Sequence, residues 1–190
     1  VGVMRTDDRG REARSRADAS RSAERVAYLT VDDFPPSRGS DELLDLLRKE
    51  AVVATFFAIG RNAEARPEAV RRAAYEGHAV QMHSWDHEAG TPDLDRNRAL
   101  IERLTGLAPE WYRPPGSSIV LRGTERWPGR VVDPYDYRRP GADELYRRIM
   151  LNVSDGAGIQ LHAGVPDTLA ALPRLIRALR ERGYRLDTIR

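Results

Sequence analysis

A chain of 190 residues, 32% charged and 41% hydrophobic, fits one domain with a buried core and holds no apolar run long enough to cross a bilayer. Its 31 basic residues, all arginine except Lys49, are mixed with acids along helical stretches such as 95–103, and the formal charge is only +2, so a nucleic-acid-binding face is not expected. The absence of cysteine excludes disulfides, thiolate metal sites and cysteine nucleophiles, so any metal must be held by His, Asp or Glu.

Residues 1–24 are rich in Arg, Asp, Ser and Ala without apolar periodicity and are expected to form a polar tail; the domain is expected over 25–190. A first strand over 26–31 ends in Asp32 and Asp33. Ser40 and Asp41 are placed to cap a helix with a leucine stripe, followed by a strand over 52–59. Pro67 suits the first turn of a helix over 67–76, Gly77 stops it, and a strand over 79–82 leads into a histidine-rich loop. Beyond that loop the pattern predicts a helix over 94–104, short strands over 110–112 and 130–132, and a helix over 142–151. A strand over 158–161, a helix from about Pro173 to Arg182 and a last strand over 184–189 complete the chain. Residues 117–129 show no clear periodicity. Alternating strands and helices predict an α/β fold with a parallel sheet.

In such folds functional groups collect on loops beyond the carboxyl ends of strands. Asp32 and Asp33, His83, Arg113, Asp133 and Asp136, and His162 all fall at such ends. Neighbouring side chains of a strand diverge, so Asp32 and Asp33 suit two roles, one binding a cation and the other acting as a base. An acidic pair that merely caps a turn has the same pattern. His83 and His87, four positions apart, reach one ion from a helical turn or tight loop, and with a carboxylate they make a set that leaves positions open for water and substrate. Zinc suits such a set, and cobalt, nickel, manganese or iron share its ligand types. Arg113, in the turn Arg113-Pro114-Pro115-Gly116, presents a guanidinium that can clamp a carboxylate such as Asp32. An aspartate beside His162 would orient its ring and raise its pKa, although a core or loop histidine fits equally. His78, at the entry to a strand, is assigned to structure. Trp85, Trp111, Trp127 and Tyr135 are candidates for stacking on sugar rings or for packing.

In this order the segments Thr30 to Phe34, His83 to His87, Arg113 to Pro115, Asp133 to Tyr137 and Leu161-His162 resemble the polysaccharide deacetylase family, carbohydrate esterase family 4, also called the NodB-homology domain. The resemblance implies a distorted (β/α) barrel of about seven parallel strands and a hydrolase that removes N-acetyl groups from amino sugars. It implies one divalent ion on Asp33, His83 and His87, with Asp32 as general base, Arg113 holding it, His162 as general acid and Asp136 tuning it. Gly116, Tyr137 and Leu161 would contact substrate, Leu161 by lining the acetyl pocket. The expected partner is an acetylated amino sugar or glycan, with no nucleic acid and no membrane span. Phe34 stands where the family usually has glycine and is expected to narrow or reshape the loop beside the metal, Tyr137 replaces a tryptophan, and the stretch from Arg113 to Asp133 is short. These departures keep open another acyl group, N-formyl or O-acetyl, and a catalytically silent carbohydrate-binding relative.

Overall fold

The ten residues Arg25–Phe34 form β1, the strand on which the rest of the sheet is assembled. In this computed structural model, which describes residues 24–88, 90 and 93–190, the order after β1 is α1 (Ser40–Lys49), β2 (Thr55–Ala58), α2 (Gly60–Ala65), α3 (Pro67–Tyr75), β3 (Ala79–Met82) and α4 (Leu94–Thr105). There follow β4 (Leu121–Arg122), β5 (Glu125–Arg126), β6 (Val131–Val132), a 3-10 turn (Asp136–Arg138), α5 (Ala142–Asn152), β7 (Ala157–His162), α6 (Pro166–Glu181) and β8 (Tyr184–Asp187). The polar tail expected over 1–24 lies, except for Glu24, outside the described residues.

Six strands form one parallel sheet in the order β3-β2-β1-β7-β6, with β8 paired to the first half of β1 below β2. Tyr112 extends it beyond β3 by a single parallel bridge to Met82, where the sequence predicts a strand. The result is the distorted, incompletely closed (β/α) barrel expected of the sequence.

Both faces of the sheet are covered, by different chemistry. Leu29, Val31, Phe56, Ala58, Val80, Met82, Ile159 and Leu161 point outward into the main core, which includes Leu43, Leu44 and Leu47 of α1 and Leu172, Leu175 and Ile176 of α6. The inner face carries a small cluster of Phe57, Trp111, Val120 and Ile189, with Tyr28 and Trp127 against it. Above that cluster, toward the carboxyl ends of the strands, Thr30, Asp32, Arg113 and Gln160 are all buried. Alternation along each strand thus sends aliphatic residues to the helices and polar residues to the barrel interior.

Several elements differ from expectation. The unassigned stretch contains a hairpin, β4 and β5, whose two-residue strands are too short to show a period. Helix α6 begins at Pro166, and Pro173 lies inside it; burial of Thr168, Ala171 and Leu172 on the same stripe as Leu175 and Ile176 holds the extra turns despite the proline. The residue before α1 is Gly39, at φ 86°, and no side chain caps that helix. Phe34 does not narrow the metal loop: it is fully buried, with its ring 4.2 Å from that of Phe56 on the helix side of the sheet.

Candidate active site

The pairing of β1 with β7 sets Asp32 opposite His162, at the carboxyl ends of both strands. By strand parity Asp33 would follow Val31 outward to the helices. A register shift between Val31 and Phe34, with φ 62° at Asp33, breaks the parity; Phe34 takes the core position and Asp33 turns to the mouth of the barrel.

The loop after β3 is bent rather than helical. Ser84 and His87 both adopt left-handed backbone, at φ 64° and 62°, which folds residues 83–87 back on themselves. It is moored to the end of β2 and the start of α2 by His83 N–H to Ala58 O (2.9 Å), Gly60 N–H to Ser84 O (3.0 Å) and Arg61 N–H to Trp85 O (3.0 Å). Buried Asn97 of α4 adds two bonds, its amide donating to Ala58 O (3.0 Å) and Ser84 O (2.7 Å). This mooring brings one ligand atom each of Asp33, His83 and His87 within 4.8 Å of one another.

The donor set fits a cation. His83 Nδ1 lies 2.7 Å from Arg113 O, a carbonyl that can only accept, so Nδ1 donates there and Nε2 is the nitrogen left to face a ligand. Nε2 of His83 lies 3.4 Å from Asp33 Oδ1, and His87 Nε2 approaches the same oxygen at 3.1 Å. Asp33 Oδ1 is itself buried without a hydrogen-bond donor. Two imidazole nitrogens and a carboxylate oxygen converging in this way fit a positive ion between them.

Behind this group lie two buried carboxylates. Asp32 is 1% exposed; its Oδ1 accepts from Arg113 Nη1 at 2.5 Å and its Oδ2 from Gln160 Nε2 at 2.9 Å. Arg113 Nη1 also donates to Thr30 Oγ1 (3.0 Å), and the guanidinium lies 4.3 Å over the Phe57 ring. Asp136 receives the Thr168 hydroxyl (2.6 Å) and His162 N–H (2.8 Å) on Oδ2, and Tyr137 N–H (2.9 Å) on Oδ1. That second oxygen is 2.6 Å from His162 Nδ1, which leaves Nε2 free toward the pocket. Burial works against a charge on His162, but its hydrogen bond to Asp136 and the negative charges of Asp136, Asp32 and Asp33 outweigh it and hold the imidazole pKa above its ordinary value.

One pocket of about 410 Å³ is lined by Asp32, Asp33, His83, His87, Gly116, Tyr137 and His162, together with Ser117, Ser118, Asp133 and Gln160. Arg113 and Asp136, both 0% exposed, stand one layer behind Asp32 and His162. Leu161 is the exception among the residues singled out in the sequence. It faces the helices in the main core, and Gln160, on the same face of β7 as His162, lines the pocket instead. Trp85 and Trp111 are each 4% exposed and are packing residues rather than sugar platforms. Trp127 lies over Gly129 and Gly158, and only Tyr135 of the four candidate aromatics is exposed. His78 is structural as expected, its Nδ1 accepting from Ala54 N–H at 3.0 Å.

Asn97, Thr168 and the contact of Gln160 with Asp32 were not singled out in the sequence. Asn97 carried a signal, since it falls on the buried stripe of α4 with Leu100 and Ile101, where a poor helix former needs a reason to be.

The sequence profile of the polysaccharide deacetylase family matches residues 19–124. A chitooligosaccharide deacetylase of Sinorhizobium fredii is 33% identical over 83% of this chain and 86% of its own length. The chain belongs to the polysaccharide deacetylase family. A peptidoglycan-N-acetylglucosamine deacetylase of Bacillus cereus is 31% identical to this family member over 86% of the chain and 68% of its own length. Among solved structures, the peptidoglycan deacetylase PdaC from Bacillus subtilis matches this chain with a TM-score of 0.76 at 30% identity, covering 88% of this chain and 89% of that one. The family is metal-dependent, and Asp33, His83 and His87 are a group able to hold an ion.

Proposed function

We propose that the chain is a metal-dependent hydrolase removing N-acetyl groups from amino sugars of a chitooligosaccharide, a peptidoglycan fragment or a smaller acetylated metabolite, with zinc as its ion. The observation that carries this reading is the convergence on one pocket of an Asp/His/His cation seat, a clamped carboxylate and an aspartate-backed histidine. Two imidazoles and a carboxylate with positions left open are a donor set that zinc takes in hydrolytic sites.

Amides resist water because water is a weak nucleophile and the amine a poor leaving group. Asp33, His83 and His87 would hold a divalent ion, which when bound would supply Lewis-acid chemistry to the acyl carbonyl and the attacking water. Asp32 takes the proton of that water, and Arg113 and Gln160, one on each oxygen, keep its carboxylate fixed while it does so. The backbone N–H near Gly116 donates to the oxygen that becomes negative. His162 hands a proton from Nε2 to the departing nitrogen, and Asp136 keeps the ring oriented and protonated for the task. Tyr137 flanks the sugar.

The test is direct. Protein loaded with zinc should contain about one ion per chain and release acetate from N-acetylated chitooligosaccharides, peptidoglycan fragments or small N-acetyl amino sugars. Stripping the ion with a chelator should stop the release, and the reading fails if no substrate of the three classes yields acetate. The polar floor at Gln160, in place of an aliphatic side chain, makes N-formyl and O-acetyl compounds the informative companions in the panel.

A further inference from the structure

Beyond the catalytic pocket the surface continues into a second cavity of about 620 Å³, and the two share Ser118 and Asp133. Three arginines from separate segments line the second cavity: Arg130 just before β6, Arg138 in the 3-10 turn and Arg148 in α5. Glu144 answers Arg148 at 2.7 Å. Arg130 and Arg138 make no ion pair among the described residues, and the one acid lining the cavity is Asp133, whose Oδ1 accepts from Tyr135 N–H at 2.8 Å. The cavity therefore carries a positive excess in a chain whose total formal charge is only +2.

The position of that charge is set relative to the reaction centre. Arg138 lies 5.0 Å over the Tyr135 ring and 5.6 Å over that of Tyr137, and the Tyr137 ring stands edge-on to His162 with centroids 5.3 Å apart. Both tyrosines are partly open to solvent, at 44% and 49% exposure. The turn that bears them is pinned from below by buried Asp136. An exposed aromatic pair with a guanidinium over it and a second guanidinium nearby is a surface suited to a sugar ring bearing a planar anion. The ring finds a stacking face, and the fork of an arginine matches a carboxylate.

We propose that this cavity is an anion-recognising subsite, taking a carboxylate-bearing sugar next to the acylated sugar that is hydrolysed, so that the preferred substrate is an acidic glycan rather than a neutral one. This deepens the deacetylase reading and rests on it. A neutral oligosaccharide can occupy the same cavity, but it leaves the attraction of Arg130 and Arg138 unused.

The experiment compares two glycans of equal length, a neutral N-acetylglucosamine oligomer and one in which alternate sugars carry a lactyl ether carboxylate. Binding is measured by calorimetry on zinc-loaded Asp32→Asn protein, so no turnover is needed. The acidic glycan is expected to bind about tenfold tighter at low ionic strength, with the gap closing as salt rises. In Arg130→Gln/Arg138→Gln protein the acidic glycan should lose most of that advantage, measurably more than any loss for the neutral one, at an unchanged melting temperature. Equal affinity for the two glycans overturns the proposal, as does a preference that survives the double substitution. Because acetate release is a separate measurement, failure of the subsite and failure of the deacetylase reading give different results.

Discussion

Arg113 Nη1 meets Asp32 Oδ1 at 2.5 Å across 81 residues of sequence, with side-chain exposures of 0% and 2%. A pair so far from water is costly to assemble and worse to break, since either partner alone would be a buried charge without a counterion. Arg113→Met should therefore destabilise the fold by about 3 kcal/mol or more in denaturant unfolding, and adding Asp32→Asn should recover part of that loss. Asp32→Asn alone should cut turnover by about 10³-fold with zinc content retained. If Asp32→Asn protein turns over normally, Asp32 is not the base.

Gln160 holds the other oxygen of the same carboxylate. Gln160→Met keeps the volume and removes the donor, so kcat should fall by about tenfold with KM and melting temperature nearly constant. A rise in KM at constant kcat would instead make Gln160 a simple binding group.

His162 titrates above 6.5 because Asp136 favours its charged form in spite of burial. The proton-donating form thus persists above pH 6.5, and activity should decline only as pH rises through the higher folded value. In Asp136→Asn protein the basic limb should move toward lower pH. A basic limb that stays put in Asp136→Asn would remove His162 from the role of acid.

His78 makes the opposite case. Burial lowers its pKa from 6.5 to about 4, so the unfolded chain binds the extra proton throughout that interval. Stability is then fully present above pH 6.5 and falls as pH drops toward 4, by about 3 kcal/mol in all. Urea unfolding at a series of pH values should show this slope, and His78→Asn, which keeps an acceptor near Ala54 N–H, should flatten it.

Most of the site was legible because its residues sit where strands end, and alternation of strand and helix tells which end that is. Three failures have one physical origin, the parity of a strand. In β7 the run Ile159-Gln160-Leu161 is buried throughout, so burial hides which residues face inward; His162 decides it, placing Gln160 in the pocket and Leu161 among the helices. In β1 the bulge reverses the rule, freeing Asp33 for the ion and drawing Phe34 into the core instead of beside the metal. Asn97 was hidden for another reason: its hydrogen bonds reach a carbonyl at the end of β2 and one in the loop after β3, 39 and 13 residues away, which helical periodicity does not report.

The indole of Trp85 rests on Gly60, so closely that a β-carbon there would come within 2.3 Å of the ring. Arg96 of α4 lies 3.5 Å over the same indole. The imidazole-bearing bend is thus seated on the bare Cα of α2 and under a guanidinium of α4. A methyl group added at position 60 would act as a lever, tilting the bend and spreading the ion's donors without altering any of them. Residue 60, which has no side chain to contribute, is as much a determinant of cation capture as the three that would touch the cation.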